Sequence, residues 1–95
     1  MATILVIEDD PSFRDLLQLH LVSAGHTVNT AEDPAEGLRS LLEYSHDLIL
    51  LDLDLPYLSG LEVLEALRSD PASQKIPVSP LRGAGTTKPM PGAAR

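Results

Sequence analysis

Two groups of carboxylates stand at the ends of two apolar runs. Ile4-Leu5-Val6-Ile7 leads directly into Glu8-Asp9-Asp10, and Leu48-Ile49-Leu50-Leu51 leads into Asp52-Leu53-Asp54. Carboxylates at such places suit holding a hard cation, accepting a phosphoryl group, or capping a helix. Mg²⁺ prefers oxygen donors and is commonly held by one or two carboxylates with water and phosphate. Asp9 and Asp52 are the candidate carboxylate ligands. Glu8 is placed to hold a metal-bound water, and the backbone carbonyl of Asp54 to complete the shell. An Asp carboxylate is also a nucleophile toward phosphorus, with a nearby cation neutralising the incoming oxygens. Asp52 is the candidate for that role, because it directly ends the more apolar run. Acids ahead of a helix also stabilise its positive end. That reading fits Asp10 better than a ligand role, and the Asp54 side chain reads as a solvated loop acid.

Either chemistry needs the two groups side by side, and the chain between them supplies the means. Short continuous apolar runs that end abruptly read as buried parallel strands. Thr3–Ile7 is the first strand. Asp10-Pro11-Ser12 opens a helix with Phe13, Leu16, Leu17, Leu21 and Ala24 at helical spacing, and Gly25 ends it. His26–Thr30 is a second strand. Asp33-Pro34 opens a second helix with Ala35, Leu38, Leu41 and Leu42 on one face. His46-Asp47 leads into the third strand, Leu48–Leu51. Pro56 and Ser59-Gly60 mark a loop. Leu61, Leu64 and Leu67 make a third helix that ends near Asp70-Pro71. Ile76-Pro77-Val78 reads as the start of a fourth strand that does not develop. The alternation βαβαβαβ predicts an α/β fold: a flavodoxin-like open parallel sheet of three to four strands, order 2-1-3-4, with helices on both faces. In that order the acidic ends of strands one and three meet at the switch point, where such sheets bind ligands.

Composition narrows the remaining possibilities. The chain has 95 residues, 14 acidic and 7 basic, for a net charge of −7. That disfavours direct contact with nucleic acid. There is no cysteine, so disulfide and thiolate chemistry are excluded. No apolar run approaches a membrane span, and the first residues do not resemble a secretory signal, so a cytoplasmic location without membrane contact is expected. His20, His26 and His46 share no ligand spacing and read as surface or boundary residues. No Gly-rich phosphate loop is present. Residues 1–78 hold every acid, whereas Ser79–Arg95 holds three Pro, three Gly, no acid and only two large apolar residues, Leu81 and Met90. The expected organisation is a domain over 1–78 and an irregular tail over 79–95.

The motifs carrying this chemistry resemble the receiver domain of two-component response regulators. "ILVIEDDPSFRDLLQLHLVSAGHTVNTAEDPAEGL" is similar to the family's first strand, acidic pair, first helix and second strand. "HDLILLDLDLPYLSGLEVLEALR" is similar to its phosphoacceptor strand, Pro-containing loop and third helix. The resemblance covers about residues 2–78. It implies Mg²⁺-dependent phosphorylation of Asp52 by a histidine kinase or phosphotransfer protein. It also implies that Glu8, Asp9 and the Asp54 carbonyl organise the metal. The chain departs from the family after about residue 78, as if truncated or altered. Arg82 falls where the family carries a switch hydroxyl. Lys88, in Thr87-Lys88-Pro89-Met90, resembles the family's Lys-Pro segment but arrives early, and is a candidate for its lysine. An incomplete sheet leaves an open edge and an uncovered apolar face, so a homodimer is expected. Two alternatives stay open. One is a dimerisation or interaction module without productive phosphotransfer. The other is a metal-dependent phosphatase, whose spacing Asp52-Leu53-Asp54 mimics without the surrounding motif.

Overall fold

The computed structural model describes residues 1–52 and 60–82. Four strands form one parallel sheet in the order β2-β1-β3-β4, from β1 (Thr3–Ile7), β2 (Thr27–Ala31), β3 (Leu48–Asp52) and β4 (Val78–Arg82). Three helices connect them: α1 (Pro11–Ser23), α2 (Pro34–Glu43) and α3 (Gly60–Ser69). This is the expected open α/β sheet. The β1–β3 pairing runs from Ile4↔Leu48 to Ile7↔Leu51. One residue beyond that last pair, Glu8 and Asp52 stand at neighbouring strand tips.

The core grows from strand alternation. Leu5, Ile7, Ile49 and Leu51 point to one face and pack with Ala31, Leu41, Val63 and Leu67. Ile4 and Val6 are buried on the other face, the side to which strand alternation sends them. Helix α2 lies close on β1 because Gly37 faces Ile7. A Cβ at Gly37 would meet Ile7 Cδ1 at 2.7 Å and Cγ1 at 3.1 Å. The core line of α2 therefore runs Pro34, Gly37, Leu38, Leu41, at spacings i, i+3, i+4 and i+7. Ala35 and Leu42, expected on that face, lie off it, and Leu42 is 73% exposed. In α3 the buried positions include Val63 as well as the expected Leu67.

Helix boundaries follow capping chemistry. Asp10 Oδ1 accepts the N–H of Ser12 at 3.0 Å and of Phe13 at 3.5 Å, and Pro11 opens the first turn. Gly25 adopts φ 96°, the left-handed conformation that ends the helix as anticipated. Asp33 Oδ1 accepts the Glu36 N–H at 2.8 Å, and Glu36 Oε1 accepts the Glu32 N–H at 2.7 Å. No residue of α1 is fully buried, and Leu16 and Ala24 of its expected apolar face are exposed. Among the described residues, the helix packs chiefly on β2 and β1.

The fourth strand corrects the expectation that it fails to develop. It pairs with β3 through Ile49↔Val78, Leu50↔Ser79, Leu51↔Pro80 and Asp52↔Arg82, with an irregularity between Leu51 and Asp52. Among the described residues β4 is the edge of the sheet, where the missing N–H of Pro80 need not break a ladder. Ile76 and Val78 are partly buried against the core and anchor its start. The boundary expected at residue 78 thus falls inside β4. Strand β2 is shifted by one residue from the expected His26–Thr30.

His46 is a second correction: it is buried, at 8% exposure, rather than a surface or boundary residue. Its Nε2 lies 2.9 Å from Asn29 Nδ2. Burial lowers its pKa, opposed by the Tyr44 carbonyl and Asp47. The unfolded chain therefore takes up this proton before the folded one. The stability that neutral His46 contributes is complete above its ordinary value of about 6.5 and is lost as pH falls below it. Thermal unfolding between about pH 7.5 and 5 will show the native chain losing stability on acidification relative to His46→Gln. Parallel curves for the two chains would contradict this.

Candidate functional site

Parallel register and strand length build the site before any side-chain contact is considered. β1 ends at Ile7, opposite Leu51, and β3 ends one residue later at Asp52, so Glu8 and Asp52 stand side by side at the C-terminal edge of the sheet. Glu8 and Asp52 are wholly buried and Asp9 is partly exposed. One carboxylate oxygen from each of Glu8, Asp9 and Asp52 lies within 4.8 Å of the others. The structure thus brings together three of the residues expected to form the site. Asp54 and Lys88, the remaining candidates, lie outside the described residues.

The turn after β1 is tightly specified. The Glu8 N–H donates to the Ala31 carbonyl at 3.0 Å, tying the tip of β1 to that of β2. Glu8 Oε2 accepts the Asp10 N–H at 2.9 Å. Arg14 Nη1 donates to the Glu8 carbonyl at 3.0 Å. Asp10 acts as the cap of α1, matching the cap reading over the ligand reading. The Arg14 contact escaped sequence reasoning. Its only signal is a cation one turn into the helix that follows the acids.

Three carboxyl groups at this range would repel one another if all were ionised. Burial pushes the Glu8 carboxyl up to about 8; hydrogen bonding to Asp52, the charge of Asp52 and hydrogen bonding to Asp9 push the same way, against the Asp10 N–H. An all-oxygen, carboxylate-rich donor set with two buried members fits a small hard divalent cation. The same set places an Asp carboxylate, that of Asp52, where a phosphoryl group could meet both nucleophile and cation.

An open parallel α/β sheet with an acidic cluster at the tips of its two central strands has the architecture of a doubly wound α/β module. The chain belongs to the response regulator receiver domain family, whose model matches residues 4–88. It is 40% identical over 85 residues to the DNA-binding dual master transcriptional regulator RpaA of Synechocystis, covering 90% of this chain and 35% of that protein. The chain thus spans about a third of the length of the curated relatives it matches. The N-terminal domain of a response regulator receiver protein from Methanoculleus marisnigri superposes with TM-score 0.80 at 36% identity, covering 84% of this chain and 65% of that one. The response regulator TrrA of Thermotoga maritima, solved in complex with Mg²⁺ and BeF, superposes with TM-score 0.66 at 31% identity, covering 82% and 84%. TrrA has also been solved in complex with the histidine kinase ThkA.

The repulsion has a measurable consequence. Asp52→Asn removes one buried charge and keeps the shape, so in chelator it will unfold at a higher temperature than the native chain. The expected gain is on the order of 1 kcal/mol, several degrees for a domain this small. An unchanged or lower midpoint would show that the buried carboxylates carry no net repulsion.

Proposed function

We propose that this chain is a phosphoacceptor module: it binds Mg²⁺ at Glu8, Asp9 and Asp52 and takes a phosphoryl group onto Asp52 from a histidine kinase or phosphotransfer protein in the cytoplasm. The observation that carries this reading is the convergence of three carboxylates, two of them buried, at the tips of β1 and β3. Membership of the receiver family and the likeness to a regulator solved with Mg²⁺ and BeF, and with its kinase, support it.

In this reading an Asp52 carboxylate oxygen attacks phosphorus, forming a P–O bond as the bond to the donor breaks. Burial at the β3 tip limits access of water to the acyl phosphate. Mg²⁺ supplies charge neutralisation for the phosphoryl oxygens. Glu8 and Asp9 hold the cation beside the nucleophile, the Asp54 backbone carbonyl completes the donor set, and Lys88 is the candidate for a further cation. The chain acts as a signalling module and not as a turnover enzyme.

Incubation with Mg²⁺ and a small acyl phosphodonor, followed by intact-mass measurement, tests the reading. A single phosphoryl adduct will form with Mg²⁺, disappear in chelator and be absent from Asp52→Asn. An adduct that survives Asp52→Asn would contradict it. Turnover of a phosphate ester would favour the phosphatase reading.

A homodimer is part of the proposal. Leu16, Leu19 and Val22 on α1 are 49%, 64% and 51% exposed, an apolar surface that a second copy would cover. Light scattering at moderate concentration is expected to give twice the chain mass, and a monodisperse monomer would contradict this.

A further inference from the structure

Asp9 sits between two carbonyls held by one residue. The Arg14 main-chain N–H donates to the Asp10 carbonyl at 2.9 Å, and Arg14 Nη1 donates to the Glu8 carbonyl at 3.0 Å. On the other side, the Glu8 N–H is tied to the Ala31 carbonyl of β2 at 3.0 Å. The main chain on both flanks of Asp9 is therefore fixed, from β2 on one side and from α1 on the other. A guanidinium is planar and permanently charged, and its donors are arranged in a rigid fork, so it fixes direction as well as distance.

Resting on the reading of this tip as a Mg²⁺ site, we propose that Arg14 is a positioning residue for the metal: its grip on the Glu8 carbonyl fixes the turn that carries Glu8 and Asp9, and so makes the site selective for Mg²⁺ over Ca²⁺. The reason is geometric. Mg²⁺ demands near-ideal octahedral geometry at short range, whereas Ca²⁺ accepts longer and more variable coordination. A turn that loses its clamp penalises the stricter ion more. Groups that orient metal ligands without touching the metal typically account for about 10- to 100-fold in affinity.

Amide chemical-shift titrations of the full chain with MgCl₂ and, separately, CaCl₂ test this, and the same spectra report folding. Arg14→Met is expected to weaken Mg²⁺ about tenfold or more and Ca²⁺ less, so the affinity ratio falls. Arg14→Lys keeps the charge without the fork. It is expected to recover part of the affinity but not the ratio, and it carries the test if Arg14→Met does not fold. A ratio equal to the native one in either folded variant would overturn the proposal, leaving Arg14 with bulk charge alone. A native chain that binds no Mg²⁺ would instead overturn the metal reading on which the proposal rests.

Discussion

The parallel pairing of β1 with β3 is the constraint on which the rest depends. Its register ends Ile7↔Leu51, so the next residue on each strand is a carboxylate, and both are withdrawn from water. Nothing in a 3.3 Å strand repeat allows the two to separate while Leu5, Ile7, Ile49 and Leu51 keep their places in the core. A slip by one residue would turn every one of these apolar side chains to the wrong face. Hydrophobic burial along the strands thus holds together charges that would otherwise part. Under the proposed function, a bound cation would relieve that opposition and leave one of the carboxylates poised as a nucleophile.

The supporting elements answer to the same constraint. Gly37 lets α2 approach β1 closely enough to seal the strand's core face. Asp10 caps α1 and so directs its positive end at the acidic tip. Arg14 reaches back from that helix to the carbonyl of Glu8, one residue past the strand. The N-terminus of α1, the tip of β1 and the end of β2 are thereby joined through hydrogen bonds around Glu8.

Much of this was legible in the sequence, for a physical reason. β1 and β3 are buried on both faces, so they appear as unbroken apolar runs whose ends are marked by charge, and the site follows from their ends. Caps at Asp10 and Asp33 and the stop at Gly25 are local chemistry, readable from a few residues. What was not legible depends on neighbours. β4 contains Pro80 and little apolar character, and only the β3 edge shows that it forms. The core face of α2 was misplaced because Gly37, without a side chain, gives no hydrophobic signal. Burial of His46 depends on the segment between α2 and β3 folding against Asn29 of β2, a contact 17 residues apart in sequence. Arg14 offers only its place one turn into the helix after the acids, and its bond to Glu8 exists only once strand and helix meet.

Because the account rests on a buried repulsion relieved by a divalent cation, the most direct measurement is the unfolding midpoint of the native chain against Mg²⁺ concentration at fixed ionic strength. An ion that binds the folded state alone raises stability by RT ln(1 + [L]/Kd). The midpoint should therefore climb continuously with Mg²⁺ once the dissociation constant is passed, and should stay flat when sodium chloride supplies the same ionic strength. A midpoint indifferent to Mg²⁺, or one that sodium chloride raises equally, would contradict the account.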